Sequence, residues 1–97
     1  MSMNAGVILT NILEFIKTDQ FITAKQLSRI TGKSESTIRM YINRYRADGI
    51  PICSTTRGYY LSVNKGDILA TIQFLERRIQ TQIQAVDGLR RVVMKDE

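Results

Sequence analysis

The chain has 97 residues, 43% of them hydrophobic, and a formal net charge of +5. That length bounds it to one domain, or one small domain with an appendage, and the hydrophobic content argues against a disordered chain. With no histidine and a single cysteine, Cys53, it has no disulfide framework within one chain and almost no means to build a zinc site or a histidine general base.

No apolar run approaches the roughly 20 residues needed to cross a bilayer. The start, MSMNAGVIL, lacks a charged segment before its apolar residues, so no secretory signal is expected. A cytoplasmic protein without cofactor, metal or small-molecule ligand is the expectation.

Residues 1–5 carry no pattern and are expected to fray. From Val7 to Thr18, Ile8, Ile12, Phe15 and Ile16, with Leu9 and Leu13 alongside, form a broad apolar helical stripe. Asp19 and Gln20 make the connection. Thr23 and Gln26 then have the spacing of a capping box, with Ile22 and Leu27 placed for a hydrophobic staple. Leu27 and Ile30 are expected to face inward, and Gly32 to stop this short second helix in the left-handed conformation.

Ser34 caps a third helix that runs to about Ala47. At about 100° per residue, Ile38, Ile42 and Tyr45 share one face, with Tyr41 at its edge. Ser36, Arg39, Met40, Asn43 and Ala47 lie opposite, flanked by Arg44 and Arg46. Gly49 ends the helix and Pro51 forces the chain into an extended path.

Residues 52–63 predict a β-hairpin. Its strands are Ile52 to Thr55 and Tyr59 to Val63, joined by the three-residue loop Thr56-Arg57-Gly58 with Gly58 at positive φ. Tyr59, Leu61 and Val63 then point one way, Tyr60 and Ser62 the other. Two strands alone are marginal, so one face must rest on the helices. Cys53 reads as a packed strand residue.

Asn64 and Asp67 mark the start of a last helix. Ile68, Ile72, Leu75, Ile79, Gln82, Val86, Leu89 and Val93 follow at alternating steps of four and three. That is a coiled-coil seam, roughly 40 Å long at 1.5 Å per residue. Gln82, polar on the seam, is placed to fix register between chains. Gly88 is expected to loosen the helix near its end. Alternatively the helix folds back over its own small core, a role for its first turns with Leu69 and Phe74. The chain thus divides into a domain over 1–64 and a C-terminal amphipathic helix over 65–97 that serves as dimerisation element.

Charge is unevenly placed. Lys25, Arg29, Lys33, Arg39, Arg44 and Arg46 face Glu35 alone within residues 25–46, whereas the segment after Lys65 is nearly balanced. A basic block inside a two-helix unit points to a polyanionic partner.

The run from Thr23 to Leu61 resembles the winged helix-turn-helix domain of the biotin operon repressor and of DeoR-like bacterial and phage regulators. The likeness is carried by Leu27, by Gly32 with Ser34 at the turn, by Thr37-Ile38, Ile42 and Tyr45-Arg46, and then by Gly49-Ile50-Pro51-Ile52, Arg57-Gly58-Tyr59 and Leu61. Two positions depart from the pattern: Lys33 stands where the turn usually buries a small apolar residue, and Ser28 where alanine is usual. A lysine can lay its methylenes along the core and keep its ammonium in water. The fold implied is mainly α with a small β-hairpin wing, a winged helix-turn-helix followed by a long coiled-coil helix.

The resemblance implies that helix 34–47 enters the major groove of double-stranded DNA. Ser36, Arg39, Met40 and Asn43 would meet base edges, with Glu35 beside them. Arg39 suits guanine O6 and N7, and Asn43 suits adenine. Lys25, Lys33, Ser34, Thr37, Arg44 and Arg46 would contact the phosphate backbone. Arg46 has the alternative of pairing with Asp48 or Glu14. On the wing, Arg57 would reach a minor groove or a phosphate, with Tyr60 beside it and Tyr59 in the core.

The function expected is a sequence-specific DNA-binding regulator, bacterial or phage, acting as a homodimer through Ile68, Ile72, Leu75, Ile79, Gln82, Val86 and Leu89. An architectural or excision factor, or a protein–protein interaction module, would use the same fold. An enzyme is not expected, since no nucleophile–base pair or carboxylate cluster is visible.

Overall fold

The computed structural model describes residues 12–95. The helix at its start, α1, is described over 12–14. There follow α2 (Ala24–Thr31), α3 (Glu35–Ala47), β1 (Ile52–Thr55), β2 (Gly58–Leu61) and α4 (Lys65–Lys95). Val7, Ile8, Leu9 and residues 1–5, which figure in the sequence reading, lie outside the described residues.

The first helix ends earlier than its apolar stripe predicts. The Phe15 N–H donates to the Ile12 carbonyl and the Ile16 N–H to that of Leu13, tightening the last turn. The Lys17 carbonyl then accepts from the Leu61 N–H at 2.9 Å, so the chain leaves the helix to run beside β2. Ile22 continues this path. Its N–H donates to the Tyr59 carbonyl at 3.0 Å, and its carbonyl accepts from the Tyr59 N–H at 2.7 Å. β2 therefore has hydrogen-bonded neighbours on both sides, β1 and the stretch that precedes α2.

The capping box forms as expected, with Gln26 N–H on the Thr23 hydroxyl and Thr23 N–H on the Gln26 side chain. Leu27 is fully buried, but Ile30 is 53% exposed. The inward stripe of α2 is Ala24, Leu27, Ser28 and Thr31, whose centre lies well round the helix from Ile30. Gly32 ends α2 at φ 73°, its N–H on the Ser28 carbonyl. The two atypical turn residues both have partners. The Ser28 hydroxyl donates to the Lys33 carbonyl at 2.6 Å, and the half-buried Lys33 carries its ammonium 6.0 Å from the Tyr41 ring centre.

Ser34 caps α3 by accepting from the Thr37 N–H. Ile38, Ile42 and Tyr45 join Ile12, Ile16, Leu27 and Ile52 in one core, with Tyr59 and Leu61 packed against it. Cys53 is buried too.

The hairpin is tighter than the sequence suggests. Thr55 pairs with Gly58, leaving a two-residue turn at Thr56-Arg57, and β2 ends at Leu61. Val63, read as the last inward residue of the strand, stands exposed beyond it.

Asn64 caps α4 through the Asp67 N–H, and the Asp67 carboxylate accepts from the Ser62 hydroxyl at 2.7 Å. α4 is 31 residues long and continuous through Gly88, roughly 46 Å at 1.5 Å per residue. The helix rests on β1 near its start, where the Thr71 hydroxyl is buried and accepts from the Ser54 N–H at 3.3 Å. Ile68 and Leu75 are half-buried on the same side, whereas Leu69 and Phe74, expected to make this contact, are exposed. No helix among the described residues is long and apolar enough to cross a membrane.

Candidate nucleic-acid interface

Burial of Ile38, Ile42 and Tyr45 fixes the rotation of α3, and Ser36, Arg39, Met40, Asn43 and Arg44 are left exposed. Spacings of three and four bring Ser36, Arg39, Met40 and Asn43 onto one strip. The Arg39 guanidinium lies 3.4 Å from the Glu35 carboxylate, with 54% and 46% of the two side chains exposed. An exposed pair four residues apart holds by only about 0.3–0.5 kcal/mol, so Arg39 is free to exchange Glu35 for a stronger acceptor.

The first turn of α3 is closed by its own cap. Ser34 and Thr37 share a hydrogen bond between hydroxyls at 2.9 Å, and Ser34 is exposed at the positive end of the helix. Lys25 is exposed near the start of α2, and Lys33 is half-buried over Tyr41.

Arg46 has a different position from the one read in the sequence. Its Nε donates to the Ile52 carbonyl at 2.8 Å and a terminal nitrogen to the Ser54 hydroxyl at 3.3 Å, while the guanidinium lies 5.7 Å from the Tyr59 ring centre. Burial pulls its pKa below the ordinary arginine value, with Tyr59 and then Cys53 opposing. Arg46 is a strut between α3 and the hairpin rather than a free phosphate ligand, and neither Asp48 nor Glu14 is its partner.

The wing contributes Arg57, exposed at the tip, with its guanidinium 5.7 Å from the centre of the Phe21 ring. Phe21 also meets Tyr60 edge-on, ring centres 5.1 Å apart. Tyr60 is half-buried by this contact. Phe21 was missed in the sequence because it sits in the connection between helices, where nothing periodic marks it. The Ile22–Tyr59 bridge beside it brings it to the wing.

A helix, a glycine turn, a second helix with a polar outer face and a two-stranded wing are thus in place. The family model for the HTH domain matches residues 9–60, more than half of the chain. The chain belongs to the HTH domain family. No curated protein and no solved structure matches it. The HTH domain is a helix-turn-helix DNA-binding domain, and α2 and α3 are its two consecutive helices.

The HTH domain does not stand clear of the long helix. Arg39 and Asn43, together with Arg78, Gln82, Val86 and Arg90 of α4, line a groove of about 640 Å³. Neither residue is sealed by it, and both remain exposed.

Proposed function

We propose that the protein is a sequence-specific double-stranded DNA-binding regulator, cytoplasmic, bacterial or phage, without enzymatic activity, which pairs with a second copy through α4. The observation that carries the reading is the division of α3. Three of its apolar residues are buried, while the exposed strip offers a planar donor at Arg39 and an amide at Asn43, the groups that fit guanine and adenine edges. Lys25, Arg44, Ser34, Thr37 and Arg57 supply phosphate contacts around that strip. The pairing part rests on the four-and-three seam of α4, in which Ile72, Ile79, Val86 and Leu89 are exposed apolar residues in the single chain.

Gel-shift titration against a random duplex pool, with sequencing of the bound fraction, tests the reading. Enrichment of a defined site, with affinity falling steeply as salt rises, is expected. Absence of any shift at low salt would leave a protein–protein module, and binding without enrichment would leave an architectural factor.

A further inference from the structure

The groove beside α3 has an unusual second wall. Leu75, Ile79, Gln82 and Val86 line it opposite Arg39 and Asn43. These four are consecutive members of the seam, so the apolar stripe of α4 faces α3 across open space. The start of the seam is partly in use, with Ile68 and Leu75 half-buried and Thr71 tied to Ser54, while Ile72 between them is 44% exposed. Beyond Leu75 the described chain leaves the stripe open: Ile79 is 56%, Leu89 69% and Val93 63% exposed.

We propose that this groove seats the α4 of a second copy, antiparallel to the first and centred on Gln84, and that pairing there withdraws Arg39 and Asn43 from DNA. The inference rests on the pairing reading above and adds its direction, register and consequence. A parallel pair would draw on the seam from Ile68 onward, part of which β1 already covers. The stripe from half-buried Leu75, which still lines the groove, to Val93 is symmetric about Gln84. Antiparallel pairing sets Leu75 against the partner's Val93, Ile79 against the partner's Leu89, and Gln82 against the partner's Val86.

Charge agrees with this direction. In the antiparallel register Glu76 flanks the seam opposite the partner's Arg90, an ion pair made twice by symmetry, and Ile83 meets the partner's Ile83 near the dyad. A parallel pair would instead place Arg78 beside the partner's Ile83 and Arg90 beside the partner's Ala85, with no ion pair between them. A helix with its side chains is about 10–12 Å across. Lying on the seam, it occupies the space that a duplex needs to reach Arg39. The paired form is then the silent one and the single chain the reader.

Two single-cysteine substitutions test direction and consequence together, since buried Cys53 does not compete for oxidant. Ile83→Cys should form an interchain disulfide under mild oxidation, and Gln82→Cys should not. The oxidised Ile83→Cys dimer should bind a fluorescent duplex, enriched from a random pool by the wild-type protein, at least about tenfold more weakly than the reduced form. Reductant should restore the affinity. Crosslinking through Gln82→Cys alone would establish a parallel pair and overturn the direction. An oxidised Ile83→Cys dimer that binds the duplex as well as the reduced form would overturn the competition. Wild-type protein that sediments as a monomer across the concentration range would remove the pairing reading itself, and this inference with it.

Discussion

A β-carbon built on Gly58 would stand 2.6 Å from the carbonyl oxygen of Ile22. Gly58 also has φ of 132°, a conformation L-residues rarely adopt. The close approach comes from the pairing of Ile22 with Tyr59 that ties the wing to the residues before α2, and the positive φ falls where Gly58 pairs with Thr55 to close the hairpin turn. Gly58→Ala is therefore expected to destabilise the domain by at least about 2 kcal/mol, through backbone strain and a clash with main chain that cannot rotate away. Urea unfolding of the variant against wild type measures it. A loss within a few tenths of a kcal/mol would mean that the bridge opens at little cost.

Arg46 and Arg44 separate structural from electrostatic roles. Arg46→Met keeps the aliphatic stem but removes the donors to Ile52 and Ser54, at a cost of about 1–3 kcal/mol. The melting temperature should fall by roughly 4–8 °C per kcal/mol for a domain of this size. At a temperature where both proteins are folded, the slope of log affinity against log salt should not change. Arg44→Met should show the reverse, an unaltered melting curve and a shallower salt dependence on any duplex.

Glu35 restrains Arg39 and adds a negative charge to the reading face. Arg39→Ala is expected to cost about 1–3 kcal/mol on the enriched site and to relax discrimination at one base pair. Glu35→Gln should tighten binding by about 0.5 kcal/mol on all sequences, since it removes repulsion from phosphate and frees the guanidinium. Competition binding on the enriched and mismatched duplexes distinguishes the two. An equal loss on both duplexes for Arg39→Ala would move that residue to the backbone.

The Phe21 ring under Arg57 makes a residue in the inter-helix connection part of the wing contact. Phe21→Ala removes this support and the edge-on contact with Tyr60. Binding should weaken by roughly 0.5–1 kcal/mol, the scale of an exposed cation–π pair. In the Arg57→Ala background the same change should then have little further effect on binding. Additive losses in this double-mutant cycle would show that Phe21 acts elsewhere.

What the sequence disclosed follows the range of the interactions involved. The capping box at Thr23 and Gln26, the Ser34 cap and the inward face of Ile38, Ile42 and Tyr45 are set within a few residues, where periodicity and side-chain chemistry decide. The early end of α1, the Ile22 bridge and the Arg46 strut each depend on β2 or β1 arriving from far along the chain. Ile30 was misplaced because an eight-residue helix offers too few turns to fix the centre of its stripe. The strip Ser36, Arg39, Met40 and Asn43 was legible on the same helical wheel. The groove facing it was not, because heptad spacing gives the seam of α4 but not the direction in which the seam looks.

The firm hold on α4 is confined to its first turns, where Thr71 meets Ser54, and no glycine stands between Thr71 and Gly88. From Leu75 to Lys95 the rod extends roughly 30 Å at 1.5 Å per residue. It is a lever with its fulcrum on the hairpin. A tilt of about 10° at that fulcrum moves the far tip by roughly 5 Å over this length, about one helical turn. Whatever nudges the wing as it meets a phosphate backbone is thereby magnified at the distal end of α4.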